Sequence, residues 1–195
     1  RREWTYPIEP LSSSLMKGSI EYISPVLDEN VILFGSSRYG LTALYPNLVR
    51  ERWRTKIHNG VVSPIEVKEH VAYYTDGEGN LVAVSVENGK PIWTYALRNP
   101  VSSRPTVAGN DLYLVTSDDA VISIESQTGK WQWHYRRRNA SGPTVHGASA
   151  PLVVGDAVWA GFSDGALVAL SRKEGKVLWE KQMNNNKRFA DINGD

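Results

Sequence analysis

Tryptophan recurs along this chain at a near-fixed interval, and that interval limits the folds open to it. Trp53, Trp93 and Trp133 are spaced by 40 residues, Trp179 follows after 46, and Trp4 precedes Trp53 by 49. Pro25, Pro64, Pro105 and Pro151 keep step, each 28 or 29 residues ahead of its tryptophan. Self-similarity at a period of about 40 residues marks a repeat architecture, in which one small unit buries its apolar surface only against copies of itself.

Within the unit, short apolar runs alternate with turn residues. The last copy reads Ala150 to Val154, Ala157 to Phe162, Ala166 to Leu170 and Val177 to Trp179, divided by stretches such as Ser163-Asp164-Gly165 and Glu174-Gly175-Lys176. Asn88-Gly89, Thr128-Gly129 and Glu174-Gly175 sit where a hairpin between third and fourth strands needs positive φ, which glycine adopts without steric cost. No 3.6-residue periodicity separates the runs, so each unit reads as four antiparallel strands and not as a βαβ crossover.

The expected fold is therefore all-β, a β-propeller with four tryptophan-docking blades. Residues 20–59, 60–99, 100–141 and 142–183 form blades 1 to 4. Residues 1–19 read as the outer strand of a preceding blade plus a linker, because Arg2-Glu3-Trp4-Thr5-Tyr6 repeats the text around Trp53 and Trp93. Residues 184–195 read as the start of a further blade. Closure of the ring then calls for about eight blades in all, or for a homodimer of four plus four related by a twofold axis. Trp4, Trp53, Trp93, Trp133 and Trp179 are the expected docking residues, each packing between its blade and the next and facing small residues such as Ala43, Ala83 and Ala169.

Composition narrows the function. A formal charge of +1 over 195 residues gives no general pull toward nucleic acid. The basic run Arg136-Arg137-Arg138 reads as a solvated edge. There is no cysteine, which removes disulfides, thiolate metal sites and a cysteine nucleophile. The histidines, His58, His70, His134 and His146, share no offset within the repeat, and no Gly-x-Ser-x-Gly elbow occurs. No catalytic residue, cofactor site or metal site is expected. Asp191-Ile192-Asn193-Gly194-Asp195 spells the start of a calcium loop. Calcium-binding propellers of the integrin type carry that motif inside repeated blades, whereas here it stands once. Asp76-Gly77-Glu78-Gly79-Asn80 falls between second and third strands and reads as a hairpin turn.

The stretches Ala83 to Trp93, Ser123 to Trp133 and Ala169 to Trp179 resemble the pattern Ala-x-Asp-x-x-Thr-Gly-Lys-x-x-Trp of the pyrroloquinoline-quinone-type propeller repeat. Ala43 to Trp53 keeps only the ends of it. Two families share that repeat. The quinone-dependent dehydrogenases hold a quinone and calcium on carboxylate and amide ligands, use a catalytic aspartate and often carry a vicinal cysteine pair. The BamB family comprises lipoproteins of the outer-membrane β-barrel assembly machinery.

Two stretches resemble BamB more specifically. Val145-His146-Gly147-Ala148-Ser149-Ala150-Pro151 is similar to the BamB segment with Arg-Gly-Glu-Ser-Ala-Pro, and Arg188 to Asn193 is similar to its Arg-Leu-Ser-Asp-Val-Asp. In that family both loops lie on one face and help bind the periplasmic domains of BamA. By position, the resemblance implies Pro143, Val145, His146, Asp191 and Asn193 as partner-binding residues. His146 stands at an arginine position, Asn193 at an aspartate and Pro143 at a leucine, so Asp191 is the acidic contact retained. The resemblance further implies a non-enzymatic scaffold in the periplasm, associated with the outer membrane through a targeting segment outside this chain. BamA-like domains and nascent outer-membrane β-strands are its expected partners. The alternatives are a fragment of a quinone-dependent dehydrogenase and a generic protein-binding propeller.

Overall fold

A computed structural model describes residues 24–37, 40–47, 50–97, 99, 101, 103–137 and 149–183. The described residues form sixteen strands in four antiparallel sheets and no helix. Blade 1 holds β1 (Val26–Asp28), β2 (Val31–Ser36), β3 (Gly40–Tyr45) and β4 (Arg50–Thr55). Blade 2 holds β5 (Glu66–Lys68), β6 (Val71–Thr75), β7 (Asn80–Ser85) and β8 (Pro91–Ala96). Blade 3 holds β9 (Thr106–Ala108), β10 (Asp111–Val115), β11 (Ala120–Glu125) and β12 (Trp131–Arg136). Blade 4 holds β13 (Leu152–Val154), β14 (Ala157–Gly161), β15 (Ala166–Ser171) and β16 (Val177–Gln182). Every sheet runs in chain order, and β1, β5, β9 and β13 neighbour one another in sequence across the blades. The chain is a β-propeller with four blades.

Burial follows from this stacking. Leu81-Val82-Ala83-Val84 in β7 is buried on both faces because a blade lies on either side of it. The fourth strands are largely exposed, since they form the rim. The core divides into three apolar layers, one per blade pair. Leu33, Ala43, Tyr74 and Val84 lie between blades 1 and 2, Leu81, Leu112, Leu114 and Ile124 between 2 and 3, and Tyr113, Val121, Val158 and Val168 between 3 and 4.

One register recurs in all four sheets. Across second, third and fourth strands the aligned residues are Leu33-Ala43-Trp53, Tyr73-Ala83-Trp93, Tyr113-Ser123-Trp133 and Trp159-Ala169-Trp179. A small residue in the middle lets the flanking rings meet over it, with centroids 5.9 Å apart for Tyr73 and Trp93, 5.9 Å for Tyr113 and Trp133, and 5.4 Å for Trp159 and Trp179. The residue just before each tryptophan (Arg52, Ile92, Gln132, Leu178) is a β-bulge with no opposite partner. A bulge reverses the in-and-out alternation, so side chains two apart across it point to opposite faces. Trp133 therefore faces blade 4, while Trp131 faces blade 2.

The interval of 46 between Trp133 and Trp179 has a local cause. The connection from β12 to β13 spans 137–151, against 56–65 and 97–105 for the two before it.

Candidate functional site

Blades are joined by a repeated node. The Trp53 indole N–H donates to the Val86 carbonyl at 2.9 Å, Trp93 to Ser126 at 2.8 Å and Trp133 to Arg172 at 2.8 Å, each acceptor belonging to the next blade. Three residues further on stand Gly89, Gly129 and Gly175, at φ of 70, 73 and 67°. A Cβ on Gly89 would lie 2.6 Å from the Trp53 ring, one on Gly129 2.7 Å from the Trp93 ring, and Gly175 is packed as tightly on Trp133. The glycine thus serves twice, by adopting left-handed φ and by lacking a side chain where the incoming indole sits. Ala43, Ala83 and Ala169 are the cross-strand partners within the tryptophan's own blade, and Ser123 takes that position in blade 3.

Chain direction puts the turns between second and third strands at the same end of the blades as the connections from one blade to the next, and there the polar chemistry concentrates. Asp76 spends its carboxylate on its own turn, accepting from the Glu78 N–H at 3.0 Å, the Asn80 N–H at 2.8 Å and the Asn80 side-chain amide at 3.0 Å. Asp119 holds φ +58° where blades 2 and 4 have Gly79 and Gly165. Its buried carboxylate reaches blade 4, accepting from the Ser163 N–H at 3.0 Å and from the Ser163 hydroxyl.

Arg137 closes the same end of the 3–4 interface. Its Nε donates to Asp164 at 2.6 Å, Nη1 to Glu180 and Nη2 to Gln182 at 3.2 Å, and its side chain is 12% exposed. Burial opposes its charge, but the hydrogen bonds to Glu180 and Asp164 outweigh that and raise its pKa. At the opposite end Arg172 reaches from blade 4 into blade 3, donating to the Ala108 carbonyl at 2.9 Å and pairing with Asp111 at 3.2 Å.

The basic run is therefore divided. Arg136 is solvated, as expected for a surface charge, and pairs with Asp118, whereas Arg137 is an interior clamp. A period-two reading of β12 would have found this split, because residues 136 and 137 must face opposite sides of a strand end. Arg138 lies outside the described residues. Of the histidines, His70 pairs with Asp28 at 3.0 Å and His134 rests on Trp131 with ring centroids 6.0 Å apart.

A sequence profile described as outer membrane protein assembly factor BamB matches residues 49–195. The chain belongs to the BamB family. No curated protein matches it. Among solved structures, BamB from Moraxella catarrhalis is similar with a TM-score of 0.52 and 19% identity, over 78% of this chain and 61% of that one. A quinohemoprotein alcohol dehydrogenase from Comamonas testosteroni gives 0.67 and 13%, over 82% and 34%, and a europium-containing methanol dehydrogenase 0.69 and 14%, over 82% and 41%. At such identities these likenesses show the fold alone. The chain spans 61% of the Moraxella BamB and less than half of either dehydrogenase.

The residues that the BamB resemblance singles out lie outside the described residues, as does Trp4. Pro143, Val145 and His146 fall in the long connection between β12 and β13, and Asp191 and Asn193 follow β16. Both segments leave the blades at the end where Asp119, Arg137 and Asp164 lie, because each follows a fourth strand.

Proposed function

We propose that this chain is a non-enzymatic scaffold of outer-membrane β-barrel assembly, located in the periplasm and bound to a BamA-like partner through the loop end of blades 3 and 4. The BamB-family match over residues 49–195 carries the reading. The fold supports it, because docked blades form a rigid base under loops, and a rigid base lowers the entropy lost when a loop binds. Asp191 is the proposed acidic contact to a basic group of the partner, with Pro143, Val145, His146 and Asn193 around it. Nascent outer-membrane β-strands are the second proposed partner.

The reading is tested by titrating purified protein with the periplasmic domains of its BamA-like partner. Asp191→Arg reverses a charge, so affinity should fall by about tenfold or more. Unchanged affinity would rule out this loop as the contact.

A further inference from the structure

Structurally equivalent positions in blades 2 and 3 carry opposite chemistry. Leu97 and Arg137 each stand four residues past the docking tryptophan, and each donates its backbone N–H to the left-handed turn residue of its own blade, Gly79 at 2.8 Å and Asp119 at 3.2 Å. Arg137 meets Asp164, Glu180 and Gln182 of the next blade. By strand register the counterparts facing Leu97 are Asp118, His134 and Arg136. Leucine has nothing to offer them, and the blades stand apart there.

The result is a cleft of about 420 Å³ whose lining includes Tyr95, Asn99, Ile122, Trp131 and His134. That is the size of a small-ligand or side-chain pocket. The bulge at Gln132 supplies its aromatic wall by turning Trp131 back toward blade 2, where it remains 47% exposed. Large exposed aromatics of this kind are favoured binding anchors.

The polar groups of the cleft select the charge of an occupant. Asp118 is already used on both oxygens, by the Thr116 hydroxyl at 2.6 Å and by Arg136. Its charge is thus already countered by the Arg136 guanidinium, and each oxygen already accepts one hydrogen bond. Arg136 spends only one nitrogen on Asp118 and is 59% exposed. Among the described residues, the Trp131 indole N–H and the side chains of Asn99 and His134 have no hydrogen-bond partner. The unspent groups are thus mainly donors, beside an apolar wall.

We propose that the cleft between blades 2 and 3 binds a peptide segment that carries a carboxylate next to a large apolar side chain. The carboxylate accepts from the free edge of the Arg136 guanidinium, the geometry in which arginine binds carboxylates best. The apolar side chain lies on Trp131 and Ile122. A chain-terminal carboxylate and an acidic side chain share this chemistry.

The residues proposed to contact a BamA-like partner are not among those lining the cleft, so the two readings fail separately. The test is fluorescence polarisation on the purified protein with four labelled peptides. One is Gly-Ser-Gly-Ser-Phe with a free C-terminus, and the second is the same peptide amidated. The third and fourth are blocked Ser-Glu-Phe-Ser and Ser-Lys-Phe-Ser. The first or third should bind about tenfold or more tightly than the second and fourth, and which of them does so identifies the source of the carboxylate. Arg136→Gln should erase that preference and Trp131→Ala should abolish binding, while Lys173→Ala and affinity for the BamA-like partner stay as they were. The proposal is overturned if neither carboxylate peptide binds, if the neutral or lysine peptide binds equally, or if Arg136→Gln leaves the preference intact.

Discussion

The 2–3 and 3–4 interfaces use equivalent tryptophans, equivalent receiving turns and the same indole-to-carbonyl hydrogen bond, yet one ends in a cleft and the other in an arginine clamp. The difference lies in the side chains that meet at that end, Leu97 in one interface and Arg137 in the other. Arg137 spans the gap to blade 4 and satisfies two carboxylates, whereas Leu97 at the matching place turns toward the apolar layer it shares with Leu112 and Leu114. The docking node thus holds the blades at a common spacing, and the residue four positions later decides what the end of the interface does.

If the node sets the spacing, its removal should dominate every other change. Trp133 is 6% exposed, and Trp133→Ala should cost about 3–5 kcal/mol, read as a lowered urea midpoint at constant slope. A loss under about 1 kcal/mol would show that the node is ornamental. Its receiving side should be nearly as sensitive. Gly175→Ala combines left-handed φ with a clash on Trp133 and should cost about 2–4 kcal/mol. Gly155 is the internal control, having φ +57° and open space around it, so Gly155→Ala should show only the backbone cost of about 1 kcal/mol. Equal losses at the two glycines would mean that the indole yields.

The clamp comes next. Arg137→Leu copies the 2–3 arrangement into the 3–4 interface and leaves the largely buried Asp164 and the Glu180 carboxylate without their guanidinium. Stability should fall by about 1–3 kcal/mol, and a new cleft should admit a dye that the parent excludes. The smallest effect belongs to the 1–2 interface, where His70 hydrogen-bonds Asp28 across the blades and its pKa is thereby raised from 6.5. A raised histidine pKa stabilises the fold below 6.5 and loses that contribution as pH rises through the folded value. Melting temperature followed from pH about 5 to about 8 should show a slight decline that His70→Gln removes. A rise over that range would contradict the pairing.

The architecture was legible in the sequence because it is written four times. Tryptophan spacing, glycine turns and strand-length apolar runs all agree, and each blade repeats the evidence of the others. The chemistry of the interfaces was not, because it lies in positions that differ from blade to blade. Arg137 was hidden inside a run of three arginines that composition assigns to solvent. Asp119 stands where blades 2 and 4 place glycine, and only the turn geometry shows that its carboxylate reaches Ser163. Trp131 was obscured by the bulge, since simple alternation puts it on the same face as Trp133. The glycine of each hairpin was recognised for its φ, but its second duty toward the preceding indole needs the neighbouring blade to be seen. The loop residues around His146 and Asp191 rest on resemblance and await the binding test.

The bulge ahead of each tryptophan has a consequence for how such a molecule can change. Because it flips the alternation within a single strand, Trp133 answers to the blade ahead and Trp131 to the blade behind. Substitutions at 131, 134 and 136 can therefore remodel one groove while the lock at 133 stays untouched. The rim strand behaves as two separately editable words, so a scaffold of this kind can acquire new ligands blade by blade without renegotiating the ring that carries them.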